Sequence, residues 1–198
     1  MEEVIGKGRI EAFSDGVIAI LITIMVLELK IPHGANLDAL TPLANTFLIY
    51  ILSFIFLGIY WSNHHHMLHT VERVTGPMLW ANLHLLFWLS LVPFVTGWMG
   101  ENDFAPLPTA AYGVVMLLAA VAYTILQQTI IRYQGPRSKL AAAVGNDVKG
   151  KISAGLYVIA IPLAFVRVWL ASAIYVVVAL VWLVPDRRIE KLDSEHSS

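Results

Sequence analysis

The chain has 198 residues, 58% of them hydrophobic and 14% charged, with a formal net charge of −1 and no cysteine; soluble domains average about 45–50% apolar and about 25% charged. That balance gives no support to a nucleic-acid surface, and the missing cysteine excludes disulfides, thiolate catalysis and Cys-based zinc sites. At about 20 residues per crossing the length holds roughly six membrane spans and no separate soluble domain.

The expectation is therefore one all-α, polytopic membrane unit over residues 1–198, its apolar helix faces solvated by lipid. The first span is read over residues 9–31, ending before Pro32-His33-Gly34. Its apolar stretch, residues 18–27, sits inside a longer helical pattern with no small-residue cleavage site after it, so it reads as a span and not as a removable signal. The second span is read over residues 40–67 and the third over 77–99, followed by Gly100-Glu101-Asn102-Asp103 and the Pro106/Pro108 pair. The fourth covers 109–131, and a polar connection runs over 132–151. Two short spans follow, 152–165 and 170–184, with Arg167 between them in a tight re-entry near the interface. Pro185-Asp186-Arg187-Arg188 closes the last, and the tail 191–198 is expected to be disordered.

Charge placement sets the orientation. With the N-terminus inside, the inner segments hold Lys7, Arg9, Arg73, Arg132, Arg137, Lys139, Lys149, Lys151, Arg187, Arg188 and Lys191. The outer segments hold only Lys30 and Arg167, along with the acids Asp38, Glu101 and Asp103. Eleven cations against two, alternating loop by loop, is the positive-inside pattern of six spans with N- and C-termini cytoplasmic. Trp61, Trp80, Trp98, Tyr112, Trp169 and Trp182 lie near span ends, where interfacial aromatic belts form. Spans one to three do not echo four to six, which weighs against a repeat-built transporter.

In the first span, Phe13, Gly16, Ile20, Thr23, Ile24, Leu27 and Ile31 share one face at helical spacing, while Ser14 and Asp15 point away from it. A carboxylate inside a span is costly unless paired or wet, so Asp15 needs a partner: Arg9, or a His or Asn of another span. The second span ends in Tyr60-Trp61-Ser62-Asn63-His64-His65-His66-Met67-Leu68-His69. His65 and His69, four residues apart, have zinc-chelating spacing, but the cluster lacks the glutamate of a zinc-protease helix. Its plainer reading is a polar helix end bonded to neighbours and water, with a pH-sensing role open to it. Asn82 and His84 of the third span are expected to bond across helices. No potassium-filter motif, phosphate loop or serine elbow occurs, and Gln127-Gln128 and Asn146-Asp147 read as ordinary polar pairs.

Four pieces of sequence carry a resemblance: Arg9-x-x-x-Phe13-Ser14-Asp15, Tyr60-Trp61-Ser-Asn63-His64-His65, Asn82-Leu-x-Leu-Leu-Phe87 and Pro93-Phe94-x-Thr96. Together they resemble the transmembrane protein 175 type of potassium channel, called lysosomal in animals and widespread in bacteria, over most of residues 9–96. Spans four to six match only in number and hydropathy. The resemblance implies a homotetramer with the first span lining a central pore. It implies modest selectivity for potassium over sodium without a carbonyl filter. By position relative to Phe13-Ser14-Asp15, the ring of bulky apolar side chains that constricts the pore falls at Ile20, with Thr23, Ile24 and Leu27 along the same stripe. It also implies a polar network tying Arg9 and Asp15 to Trp61, Asn63, His64, His65 and Asn82. His66 stands where the family often has an arginine.

The expected function is thus a potassium-favouring cation channel of the cell (inner) membrane. It is not an enzyme; it needs no cofactor or resident metal, and K+ permeates. Its partners are the lipid bilayer and three further copies of itself, with no nucleic acid. One alternative keeps the pore and makes protons the conducted ion, relayed by Asp15 and the histidines. Another is a membrane metalloenzyme using the His64–His69 cluster. No ladder of regularly spaced arginines is present, so strong voltage sensing is not expected.

Overall fold

The computed structural model describes residues 6–183; among these residues it is all-helical, with no strand. Arg187, Arg188, Lys191 and the tail, which contributed to the charge and disorder expectations, lie outside the described residues.

Helix α1 (Lys7–Leu27) opens after Gly6 and closes on Glu28, whose backbone N–H reaches back to Met25. It is shorter than the expected span. Pro32 biases Ile31 away from helical backbone, and Lys30 is drawn aside into a 2.8 Å ion pair with Glu101. A 3-10 segment, Leu37–Leu43, leads into α2 (Ala44–His69), and together they make a 33-residue helical stretch long and apolar enough to cross a membrane. The third span is two helices, α3 (Gly76–Ser90) and α4 (Val92–Glu101). Pro93 has no N–H to offer Leu89, so the ladder breaks at Leu91, whose N–H bonds Trp88 C=O instead.

Helix α5 (Pro106–Gln134) starts with proline in its first turn and ends at Gly135, whose φ of +93° continues no helix. The polar connection holds a helix the sequence pattern did not announce, α6 (Lys139–Val144), capped by the Ser138 hydroxyl. α7 (Val148–Leu163) is capped by the Asp147 carboxylate, which accepts from Gly150 N–H at 3.2 Å. α8 (Val168–Leu183) follows a short turn and packs back against α7, with Arg167 exposed at the turn.

α5 is the axis of the bundle, packed against α3, α4 and α7. It contributes Ala110, Ala119, Ala122, Leu126 and Ile130, all buried. Small residues let the backbones close up, as membrane helices require where lipid supplies no hydrophobic drive. A Cβ on Gly100 would stand 2.7 Å from Thr46 Cα, and one on Gly113 would run into the Tyr175 hydroxyl. Of the aromatics placed near span ends, Trp80 and Trp169 are exposed, while Tyr112 is fully buried and Trp182 is turned inward to donate to Ser153 Oγ at 2.8 Å.

Candidate functional site

α1 has two unlike faces. Ile10, Ser14, Ile18, Leu21 and Met25 are buried against α2, α3 and α4. The opposite face is bare: Phe13 is 54% exposed, Ile20 56%, Ile24 40% and Leu27 78%, with Gly16 and Thr23 exposed between them. The stripe read from the sequence is this bare face, except that Ile31 lies past the helix end. The Thr23 hydroxyl donates to Ala19 C=O at 3.1 Å and Ile20 C=O at 2.9 Å. Its hydrogen is committed to its own helix, and its oxygen lone pairs are the part left for anything that passes.

The buried face is tied down by polar side chains. Asn82 of α3 donates its amide to Ser14 Oγ at 2.9 Å and turns its carbonyl oxygen to His64 Nε2 of α2 at 2.7 Å. A carbonyl only accepts, so Nε2 carries the hydrogen in this arrangement. Ser14, His64 and Asn82 are all buried, and one amide joins three helices. One residue along α1, the Trp61 indole N–H donates to Asp15 Oδ1 at 3.0 Å. Asp15, which needed a partner, has an indole from α2, and Arg9 is exposed with no ion pair among the described residues. A third tie runs from Lys7 Nζ to His69 C=O at 2.6 Å.

Of the remaining residues of the expected network, His65 joins it by packing on Trp61, while Asn63 bonds elsewhere. The Asn63 amide bonds Ile59 C=O of its own helix, and its backbone carbonyl receives the Tyr123 hydroxyl at 3.2 Å. His65 lies against Trp61, ring centroids 6.2 Å apart, and meets His69 edge-on at 4.8 Å. His64 faces Asn82 and so leaves the other histidines; among the described residues no group of three or more His, Asp or Glu side chains is placed to hold a metal. His84 does not bond across helices as expected: it is exposed and accepts from Trp88, one turn along α3.

A buried hydroxyl cluster escaped the sequence reading. Ser53 of α2 bonds Thr96 of α4 at 2.7 Å and the Tyr112 hydroxyl of α5 at 3.1 Å. Thr96 stood in a recognised motif, but nothing in the pattern named its partners. At the far end of α1, Glu28 lies over Gly97, and Lys30 meets Glu101. The hydrogen bond and charge of Glu101 raise the Lys30 pKa above its ordinary value. What the arrangement offers is a helix face that is apolar from Phe13 to Leu27, with the exposed Arg9 at its N-terminal end, and that is tied from behind by polar side chains.

The sequence pattern of the family described as Endosomal/lysosomal potassium channel TMEM175 matches residues 9–93. A potassium channel of Chryseobacterium sp. (strain P1-3) is 55% identical over 96% of this chain and 99% of its own. The crystal structure of a lysosomal potassium-selective channel TMEM175 homolog from Chamaesiphon minutus superposes with a TM-score of 0.80 at 29% identity, covering 91% of this chain and 97% of its own. The endosomal/lysosomal proton channel TMEM175 of Gallus gallus is 32% identical over 47% of this chain and 21% of its own.

Proposed function

We propose that this chain, which belongs to the endosomal/lysosomal potassium channel TMEM175 family, is a potassium-favouring cation channel that assembles as a homotetramer around α1. It is a member of an ion-channel family and not an enzyme. The observation that carries the reading is the bare face of α1: Phe13, Ile20, Ile24 and Leu27 in line, on a helix whose other face is pinned by Ser14 and Asp15. In the tetramer four copies of that face converge, and Ile20, Thr23, Ile24 and Leu27 form the constriction and selectivity element.

A narrow apolar neck empties of water and so gates without a moving plug. A cation entering it sheds part of its hydration, which costs potassium less than sodium. The Thr23 oxygen, one turn from Ile20, offers the stripped ion a lone pair. The polar ties behind α1, including Asp15–Trp61 and Ser14–Asn82–His64, hold the ring diameter; Arg9, Asn63 and His65 flank them at the same end of the bundle.

The whole chain is one channel subunit with six spans and both termini cytoplasmic, in the cell (inner) membrane. α7 and α8, at 16 residues each, are about 24 Å long, against a hydrocarbon core of about 30 Å. They cross with the bilayer thinned beside them.

The test is a potassium-gradient flux assay on purified protein in liposomes, repeated with sodium and with a proton readout. Potassium flux above sodium flux is expected. The second reading keeps the architecture and conducts protons; the name of the Gallus gallus relative and the half-buried Asp15 carboxylate favour it. Proton flux without potassium flux would establish it, and no flux from folded tetramer would refute both.

A further inference from the structure

α2, α5, α7 and α8 diverge at one end of the bundle around a cavity of about 380 Å³. Its deep wall is apolar and aromatic: Phe56, Ile59, Tyr60, Ala154, Tyr157 and Val178. Along one side Val121, Ile125 and Gln128 of α5 line it and are also exposed on the helix surface, so the cavity has a flank open to the bilayer. Its rim is polar, with Gln128, Asn146, Asp147 and Lys151. An apolar shaft with one side toward hydrocarbon and a polar rim at the helix ends fits an amphipath arriving from the membrane.

Charge at the rim selects the head group. The segment 132–151 that ends at the rim carries five cations against one acid, and of these charges Lys151 and Asp147 line the cavity. Asp147 turns Oδ1 to the Gly150 N–H, away from the single cation of the lining. Lys151 Nζ gives one hydrogen bond to Asn146 C=O at 2.8 Å and keeps two further donors. Basic pockets between membrane helices are where anionic lipid head groups settle.

We propose that this cavity binds one acyl chain of an anionic phospholipid, with the head group held at Lys151. The inference rests on the preceding reading only for the chain's crossing a bilayer. Conduction plays no part in it, so lipid binding and ion flux fail or succeed separately.

The experiment is native mass spectrometry of the full chain released by mild detergent from nanodiscs of equal parts phosphatidylglycerol and phosphatidylcholine. One phosphatidylglycerol retained per chain is the expected result. Ala154→Trp, which fills the shaft, should abolish retention. Lys151→Ala should keep a lipid but lower the preference for phosphatidylglycerol about fivefold. Loss of retention through misfolding is separated by a measurement on the unaltered protein, with phosphatidylglycerol carrying a photoreactive acyl chain. Label should concentrate on residues 120–128 and 153–157. No retained lipid, equal retention by Ala154→Trp, no head-group preference, or label spread evenly onto exposed Ile159 and Val176 would each overturn the proposal.

Discussion

The two halves of the bundle balance directed bonds and packing differently. In α1–α4 the helices are joined by directed polar side chains: Ser14, Asn82 and His64 in one chain, Asp15 and Trp61 beside it, Ser53 and Thr96 deeper in. In α5, α7 and α8 closely approached small residues and tilted tyrosine pairs, Tyr112–Tyr175 and Tyr157–Tyr175, carry more of the contact, beside two directed bonds, Trp182 to Ser153 Oγ and Tyr175 to Thr109 C=O. A directed bond needs a particular residue at a particular place, whereas a packed surface accepts many sequences of similar volume. This explains why the recognisable motifs end near residue 96 although the fold likeness covers 91% of the chain.

The contrast is sharpened most by Asn82→Ala. It leaves the buried His64 Nε2–H and Ser14 Oγ without their partner, at about 1–3 kcal/mol for each group left unsatisfied. A thermal melt in detergent should fall clearly, and a melt equal to the unaltered protein would deny the polar half its role. In the other half, Gly113→Ala forces a Cβ onto the Tyr175 hydroxyl, and overpacking of this kind costs about 1–3 kcal/mol. Tyr175→Phe combined with Gly113→Ala should recover part of the loss, because the hydroxyl is the nearest atom, while Ile161 and the ring carbon stay close and the bond to Thr109 C=O is given up. No such rescue is available to Asn82→Ala, whose fault is a missing bond.

A smaller effect is expected at the exposed face. Leu27→Cys in this cysteine-free chain should leave the melt within about 0.5 kcal/mol, as exposed positions do. It should nevertheless form disulfide-linked dimers under mild oxidation if α1 meets its own copies. A chain that stays monomeric on a denaturing gel would remove Leu27 from the convergence. Smallest of all is the Lys30–Glu101 pair, fully exposed at Lys30. The lysine pKa is raised in the folded protein, so its contribution is complete below the ordinary lysine value and is lost as pH climbs through the raised one. Glu101→Gln should therefore differ from the unaltered protein only slightly at neutral pH, and the difference should vanish at the alkaline end of a pH series of melts.

Much of the fold was legible because membrane spans announce themselves by length and hydropathy. The stripe Phe13–Ile20–Leu27 was legible too, since helical periodicity alone places those residues together. The interior of the spans was less so. Pro93 was visible, but the break it makes at Leu91 depends on which carbonyl it strands. α6 is six residues long and carries no periodic signal, although Ser138 before it is a capping residue. Asn146-Asp147 read as ordinary polar residues, yet Asp-x-x-Gly at 147–150 was a cap in plain sight. Partnerships were the least readable: the need of Asp15 for a partner followed from its place in a span, while the choice of Trp61 over Arg9 depends on how α1 and α2 are rotated.

The central claim is that the bare face of α1 is the conduction path, and the most direct test of it is the reversal potential under a potassium–sodium gradient, measured on the unaltered protein and Ile20→Asn in planar bilayers. The unaltered protein should reverse on the potassium side, and Ile20→Asn should raise conductance about tenfold (on the order of a 1.4 kcal/mol lower barrier) and draw the reversal potential toward zero. Unchanged conductance and selectivity in Ile20→Asn, from protein shown to be inserted and tetrameric, would contradict the claim.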